Sequence, residues 1–256
     1  MLVNTLNPVL FSFGFVTIYW YGLLYALGVF AAYYYGAHLI KHGRFSMTLK
    51  DFDNAYFWIV VSMVVGARLF EVLFYQPSYY FAHPLDILAV WKGGLSFHGG
   101  FIGCILAVWY FSHKHHVSFW QFTDVLIVPG ALAQAFGRLG NLFNQELVGR
   151  AFNGAWAMIY TAVDEVPRHP VQLYEIFYNL VIFAVLLFLS KKKLPHGTLF
   201  ALFFIMYGAC RFVVEYFKEP EVMWGFLTIG QWLSVAMVGV GIGIFWFRRK
   251  HAHRVG

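Results

Sequence analysis

Apolar residues run along this chain in seven long blocks, separated by short stretches where charge, glycine or proline collects. The blocks cover roughly residues 16–38, 54–75, 97–112, 120–136, 172–190, 198–217 and 228–247. A helix needs about 20 apolar residues to cross the hydrocarbon core of a bilayer, and the blocks come near that length. The third and fourth are short and interrupted by glycine or proline. Residues 1–15 lack the basic start and small-residue cleavage site of a signal peptide, so the first block reads as a retained span. The pattern predicts an all-α, polytopic membrane protein with about seven transmembrane helices and a small extracytoplasmic loop region. No fixed-period repeat, low-complexity stretch or linker is visible, and residues 1–256 read as one domain.

Composition agrees. The chain is 60% hydrophobic, 21% aromatic and 12% charged, with a mean hydropathy of +0.63; a soluble domain of this length carries roughly twice that charge. The net charge of +6 follows the loops. Lys41, Arg44, Lys50, Lys114, Lys191, Lys192, Lys193, Arg248, Arg249, Lys250 and Arg254 make eleven cations on one side. Lys92, Arg138, Arg150, Arg168 and Lys218 make five on the other. The richer side is expected to be cytoplasmic, which places the N-terminus outside and the C-terminus inside. This bias accounts for the basic tail, and nothing points to nucleic acid. Cys104 and Cys210 both fall inside predicted spans, so neither a disulfide framework nor a metal cluster is indicated.

Against this background the run 137–150 is anomalous. It places Arg138, Asn141, Asn144, Glu146 and Arg150 within fourteen residues, together with Gly137, Gly140 and Gly149. Polar groups facing a membrane interior cost several kcal/mol each, on the order of a lost hydrogen bond or more, unless paired or turned to a polar cavity. The three glycines suit a non-helical path wrapped around a ligand. His98 stands among Gly93, Gly94, Gly99 and Gly100 at the outer end of the third span, and histidine is suited to proton transfer near neutral pH. Arg211 and Glu215 are four apart on the sixth span. They read either as an ion pair on one helix face or as a guanidinium oriented for a phosphate, which its planar fork matches. Arg68 and Glu71, three apart on the second span, read as a structural pair. Tyr21, before Gly22, and the segment 168–175, from Arg168 to Glu175, complete the polar positions.

These segments, in this order over nearly the whole length, resemble the bacterial phosphatidylglycerol–prolipoprotein diacylglyceryl transferases. The resemblance implies an enzyme of the bacterial inner membrane that moves the diacylglyceryl group of phosphatidylglycerol to the thiol of a lipobox cysteine in a preprolipoprotein signal peptide. A thioether forms and glycerol phosphate leaves, with no cofactor or metal implied. It further implies catalytic roles for His98, Arg138 and Arg211. Tyr21, Arg138, Asn141, Asn144, Glu146, Gly149, Arg211 and Glu215 would form the substrate-binding set, with membrane lipids around them. His98 is the leading candidate for deprotonating the thiol. Two departures stand out: Leu142 follows the first asparagine where the family often has an aromatic residue, and residues 151–166 leave room for only a small outer region.

Other classes fit less well. A transporter commonly shows two related halves, and none are visible. A retinal protein needs a lysine in its last span, which has none. A serine hydrolase built on Ser96 and His98 fails on spacing, because residues two apart do not make a preorganised dyad.

Overall fold

The computed structural model describes residues 1–14, 16–219 and 223–252; Arg254 of the basic tail lies outside the described residues. Seven helices of 18 residues or more account for most of the chain: α1 Trp20–Lys41, α2 Leu49–Phe70, α4 Phe97–Lys114, α5 Phe119–Asn144, α6 Val171–Leu189, α7 Thr198–Glu215 and α8 Ile229–Ala252. A short helix, α3 Pro77–Ala82, lies between α2 and α4. Among the described residues, six segments are long and apolar enough to cross a membrane, and they fall on α1, α2, α5, α6, α7 and α8. Together they make this a multi-pass membrane protein. The exception is α4, whose 18 residues include His98 and two glycines in the first turn and His113 and Lys114 in the last. Its apolar stretch is therefore shorter than the expected seventh span requires.

Several boundaries differ from the hydrophobic pattern, for physical reasons. The first span begins at Trp20, because 16–19 pairs instead as β3 Val16–Tyr19 with β2 Val9–Phe13 in an antiparallel hairpin. The second helix carries on past Phe70 as a π-helical turn, Glu71–Tyr75. The largest difference is in 137–150, whose first eight residues continue α5 as helix instead of forming a loop. Gly140 sits there because the Tyr21 ring of α1 packs where a Cβ would be. The chain leaves the helix only at Gln145, which with Leu147 adopts a left-handed φ of 54° and 55°. Such strain in non-glycine residues persists only where contacts over-determine it. Gln145 supplies them, donating to Leu6 O at 3.2 Å and accepting from Ala162 N at 3.0 Å.

The chain divides into two compact units: residues 1–35 with 124–256, and residues 36–123. In the first, α5, α6 and α7 share a core of Val128, Ala131, Tyr178, Ile182, Leu186, Phe203 and Tyr207, and α8 packs along α7. Its irregular part is small, as the short 151–166 stretch predicts. β1 Leu2–Asn4 pairs in parallel with β4 Met158–Tyr160, over a cluster of Leu142, Met158 and Tyr160. In the second unit α2 and α4 pack closely. A Cβ at Gly99 would meet the Gly66 carbonyl and Phe70, so the glycines beside His98 serve helix contact.

Candidate functional site

Helix α6 is apolar, yet it buries three polar side chains, Gln172, Glu175 and Asn179, along one face. Glu175 is 1% exposed and organises the centre of the first unit. Arg138 Nε lies 2.9 Å from its Oε2, and Lys218 Nζ lies 3.6 Å from its Oε1. A carboxylate this deep is tolerable only with compensating charge, and two cations from different parts of the chain supply it. Arg138 is held along one edge. Its Nη1 donates to Asn141 Oδ1 at 3.2 Å, and the Tyr207 hydroxyl lies beside the guanidinium. Asn141 and Tyr207 are thus neutral partners, which an anion can displace.

The network then steps outward. Asn141 Nδ2 and Asn144 Nδ2 both donate to Glu146 Oε1, at 2.7 and 3.1 Å. Tyr21, packed on Gly140, is within electrostatic reach of Glu146 and Arg138. Arg211 stands within reach of Arg138 and Tyr207, and its approach to Glu215, 3.9 Å, is loose. Glu215 is anchored elsewhere: its Oε1 accepts from Thr228 Oγ1 at 3.1 Å, and the Gly230 backbone packs against its carboxylate. A tight, self-contained Arg211–Glu215 ion pair is therefore not what the helix holds. Tyr178, on α6 beside these groups, has a buried hydroxyl without a hydrogen bond among the described residues.

Outside the spans a clamp fixes the end of the polar run. Gly149 bridges to Lys218, and a side chain there would strike the carbonyls of His169 and Phe217. Arg150 Nε donates to Lys218 O at 2.8 Å, while Arg168 Nη1 donates to Gly149 O at 3.0 Å. Arg168 also binds Asp164 and Glu219, and its hydrogen bonds hold the Asp164 carboxyl below the usual carboxylate range. Burial lowers the basicity of His169, which stacks on Phe152. Burial also raises the Tyr160 hydroxyl, despite its 2.5 Å bond to Gln172 Oε1. Gln172 in turn donates to Glu146 O at 2.7 Å, tying α6 to the run.

In the second unit His98 is exposed in the first turn of α4, its Nδ1 3.3 Å from the Tyr75 hydroxyl. Arg68 is not paired with Glu71. It donates to the carbonyls of Ile87, Asp86, Ala89, Gly93 and Gly94 and to the Tyr80 hydroxyl, and Glu71 accepts instead from Gln76 Nε2.

Of the residues singled out from sequence, the first unit gathers Tyr21, Arg138, Asn141, Asn144, Glu146, Arg211 and Glu215, with Gly149 in the clamp behind them. Glu175, Lys218, Tyr178 and Tyr207 join this centre without having been singled out for it. The spacing Gln172, Glu175, Asn179 in an apolar helix was the available signal.

Comparison with known proteins bears on the same stretch. The family model described as prolipoprotein diacylglyceryl transferase matches residues 8–247. The phosphatidylglycerol–prolipoprotein diacylglyceryl transferase of Bordetella parapertussis is 41% identical, over 97% of this chain and 98% of its own. Proteins of the same name from Tolumonas auensis and Aromatoleum aromaticum are 38% and 41% identical, covering 99% and 93% of this chain and 100% and 94% of theirs. With so much of both lengths aligned, this chain belongs to the prolipoprotein diacylglyceryl transferase family.

Proposed function

We propose that this membrane enzyme transfers the diacylglyceryl group of phosphatidylglycerol to the lipobox cysteine of a preprolipoprotein, the first step of lipoprotein maturation. The observation that carries the site assignment is Arg138. It is mostly enclosed, its side chain 14% exposed, anchored at Nε by Glu175, with Nη1 on the neutral Asn141 amide and Arg211 nearby. Such a pair of guanidiniums suits a phosphate bridging from the lipid.

The step breaks the bond between the glycerol carbon and its phosphate oxygen and forms a carbon–sulfur bond. The thiol proton is removed and glycerol phosphate departs. Negative charge grows on the leaving phosphate, so preorganised cations there lower the barrier most; Arg138 and Arg211 fill that role. A free thiol titrates near 8.5 and must be ionised to attack, and His98 is the candidate base. Asn141, Asn144, Glu146 and Tyr21 offer donors and acceptors to headgroup hydroxyls, and Gly149 keeps the clamp closed behind them. Glu215, one turn after Arg211, supplies a loose counter-charge that leaves the guanidinium exchangeable. The whole chain acts as one transferase in the cytoplasmic membrane of a bacterium, N-terminus outside and C-terminus inside.

The test uses purified protein in detergent with phosphatidylglycerol and a lipobox peptide. Glycerol phosphate is expected to appear only when the peptide carries its cysteine, and to stop when serine replaces it, because a hydroxyl is far less nucleophilic at neutral pH. Release that ignores the peptide would replace transfer with hydrolysis. A reporter fused at the C-terminus is expected to read cytoplasmic.

A further inference from the structure

Lys218 is 8% exposed, yet among the described residues its ammonium forms no hydrogen bond. Its partner is Glu175 Oε1 at 3.6 Å, an oxygen that itself has no hydrogen bond. The three donors of this ammonium are therefore not committed to the fold. The backbone beneath Lys218 is not loose. It bridges to Gly149, its carbonyl accepts from Arg150 Nε at 2.8 Å, and the preceding Phe217 carbonyl accepts from Arg150 N at 2.9 Å. A fixed Cα thus carries a side chain whose charged end is held only by attraction. Arg138 shows the contrast on the same carboxylate, with its Nε 2.9 Å away.

We infer that Lys218 is a third phosphate-binding cation, parked on Glu175 until a phosphate arrives. This rests on the reading of Arg138 and Arg211 as phosphate ligands. The occupant is the phosphate of the lipid donor and, after transfer, of glycerol phosphate. On binding, the ammonium exchanges one distant carboxylate oxygen for hydrogen bonds to phosphate oxygens, while Glu175 stays compensated by Arg138. Lysine suits this role, because its compact charge sits on a flexible stem that can reach either anion. Glu175 is then a positioning residue, holding one cation firmly and one loosely.

The test measures inhibition by added glycerol phosphate, KM for phosphatidylglycerol and thermal stability in detergent, well below the unfolding temperature. The proteins are wild type, Lys218→Met, Lys218→Arg, Glu175→Gln and Glu175→Gln with Lys218→Met. Lys218→Met is expected to weaken glycerol phosphate inhibition by about tenfold, the scale of one hydrogen bond to a charged group, and Lys218→Arg to keep most of it. The methionine change is expected to cause a similar loss in the Glu175→Gln background, where Lys218 has no carboxylate to neutralise. A loss that disappears in that background would show that Lys218 acts only as the counterion of Glu175, and would overturn the inference. So would Lys218→Met protein that is less stable but inhibited like wild type. If Glu175→Gln fails to fold, the lysine variants decide, and equal losses in Met and Arg overturn it. Wild-type protein without peptide-dependent turnover or glycerol phosphate inhibition would instead sink the functional reading itself.

Discussion

Arg68 and Arg138 are arginines largely withdrawn from solvent on helices of an apolar protein, 4% exposed as a residue and 14% exposed as a side chain, one in each compact unit, and they are held in opposite ways. Arg68, 4% exposed, donates to five backbone carbonyls and the Tyr80 hydroxyl, and its guanidinium also lies 4.7 Å from the centroid of that ring. An arginine has five N–H donors, so nothing is left for a ligand. It fastens the irregular segment 84–94 against α2. Arg138 has an anionic anchor at Nε and neutral partners in Asn141, at Nη1, and Tyr207. Burial of a charge therefore does not mark a reactive group. What distinguishes the two is whether the donors are committed to the fold or remain exchangeable.

The largest expected effect tests that distinction at Arg138. Arg138→Lys keeps a charge near Glu175 but loses the fork. Turnover is expected to fall by roughly a hundredfold or more, the scale seen when one preorganised donor is removed. The melting temperature should stay close to wild type, because the ammonium still compensates Glu175. A well-folded, fully active Arg138→Lys enzyme would place Arg138 with Arg68 as a structural residue.

Arg68→Lys should do the reverse. A lysine cannot span the ring of carbonyls, and each buried acceptor left without a donor costs about 1–3 kcal/mol. We expect a net destabilisation of about 3 kcal/mol, with some carbonyls rehydrated, read as a lower melting temperature in detergent. Turnover per folded molecule should fall less than in Arg138→Lys. A stable protein with activity lost as completely as at Arg138 would mean that Arg68 also touches the substrate.

How the two arginines came to differ was only partly visible in the sequence. Both were legible as anomalies, since charge in an apolar block stands out wherever it falls. Their partners were not. Arg68 has Glu71 one turn away and looked paired with it, but the carbonyls that bind it belong to a segment whose path depends on Gly93 and Gly94 at positive φ. Arg138 seemed to lie in a loop because three glycines surround it. Packing of Tyr21 on Gly140 keeps that stretch helical, a tertiary contact overriding a local preference. Lys218 looked like an ordinary cation just beyond a span, and Glu175 like the start of one. Their meeting depends on how α5, α6 and the end of α7 pack, which no spacing along one helix encodes. Helix existence was read well, because hydropathy reports it directly; α4 was the weak case, where histidine and glycine dilute the signal.

A smaller effect is expected behind the reactive arginine, at the clamp. Gly149→Ala places a methyl group against the carbonyls of His169 and Phe217, and overpacking of this kind costs about 1–3 kcal/mol. The bridge to Lys218 should open, so KM for phosphatidylglycerol should rise together with the loss of stability. A variant with normal KM and normal melting temperature would remove Gly149 from the clamp.

The smallest effect belongs to the surface pair that braces the same clamp, and pH isolates it. Arg168 hydrogen bonds hold the Asp164 carboxyl below its ordinary value, where an unperturbed aspartate titrates near 3.9, to within about a unit. A depressed folded-state value means the contribution is fully present above the unfolded value. It is lost as pH falls through the lower folded value, when the carboxylate takes up a proton and the ion pair breaks. Asp164→Asn should therefore lower the melting temperature slightly and by a constant amount from pH 7 down to about 4, with the gap to wild type closing only below that. Because the pair lies at the surface, half-exposed and screened by salt, the gap should also shrink at high ionic strength. Melting curves of both proteins from pH 7 to 3, at low and high salt, decide the matter. A gap that closes between pH 7 and 5 would assign the titration to His169, whose basicity is lowered by burial, and would leave the Asp164–Arg168 pair with no part in holding the clamp.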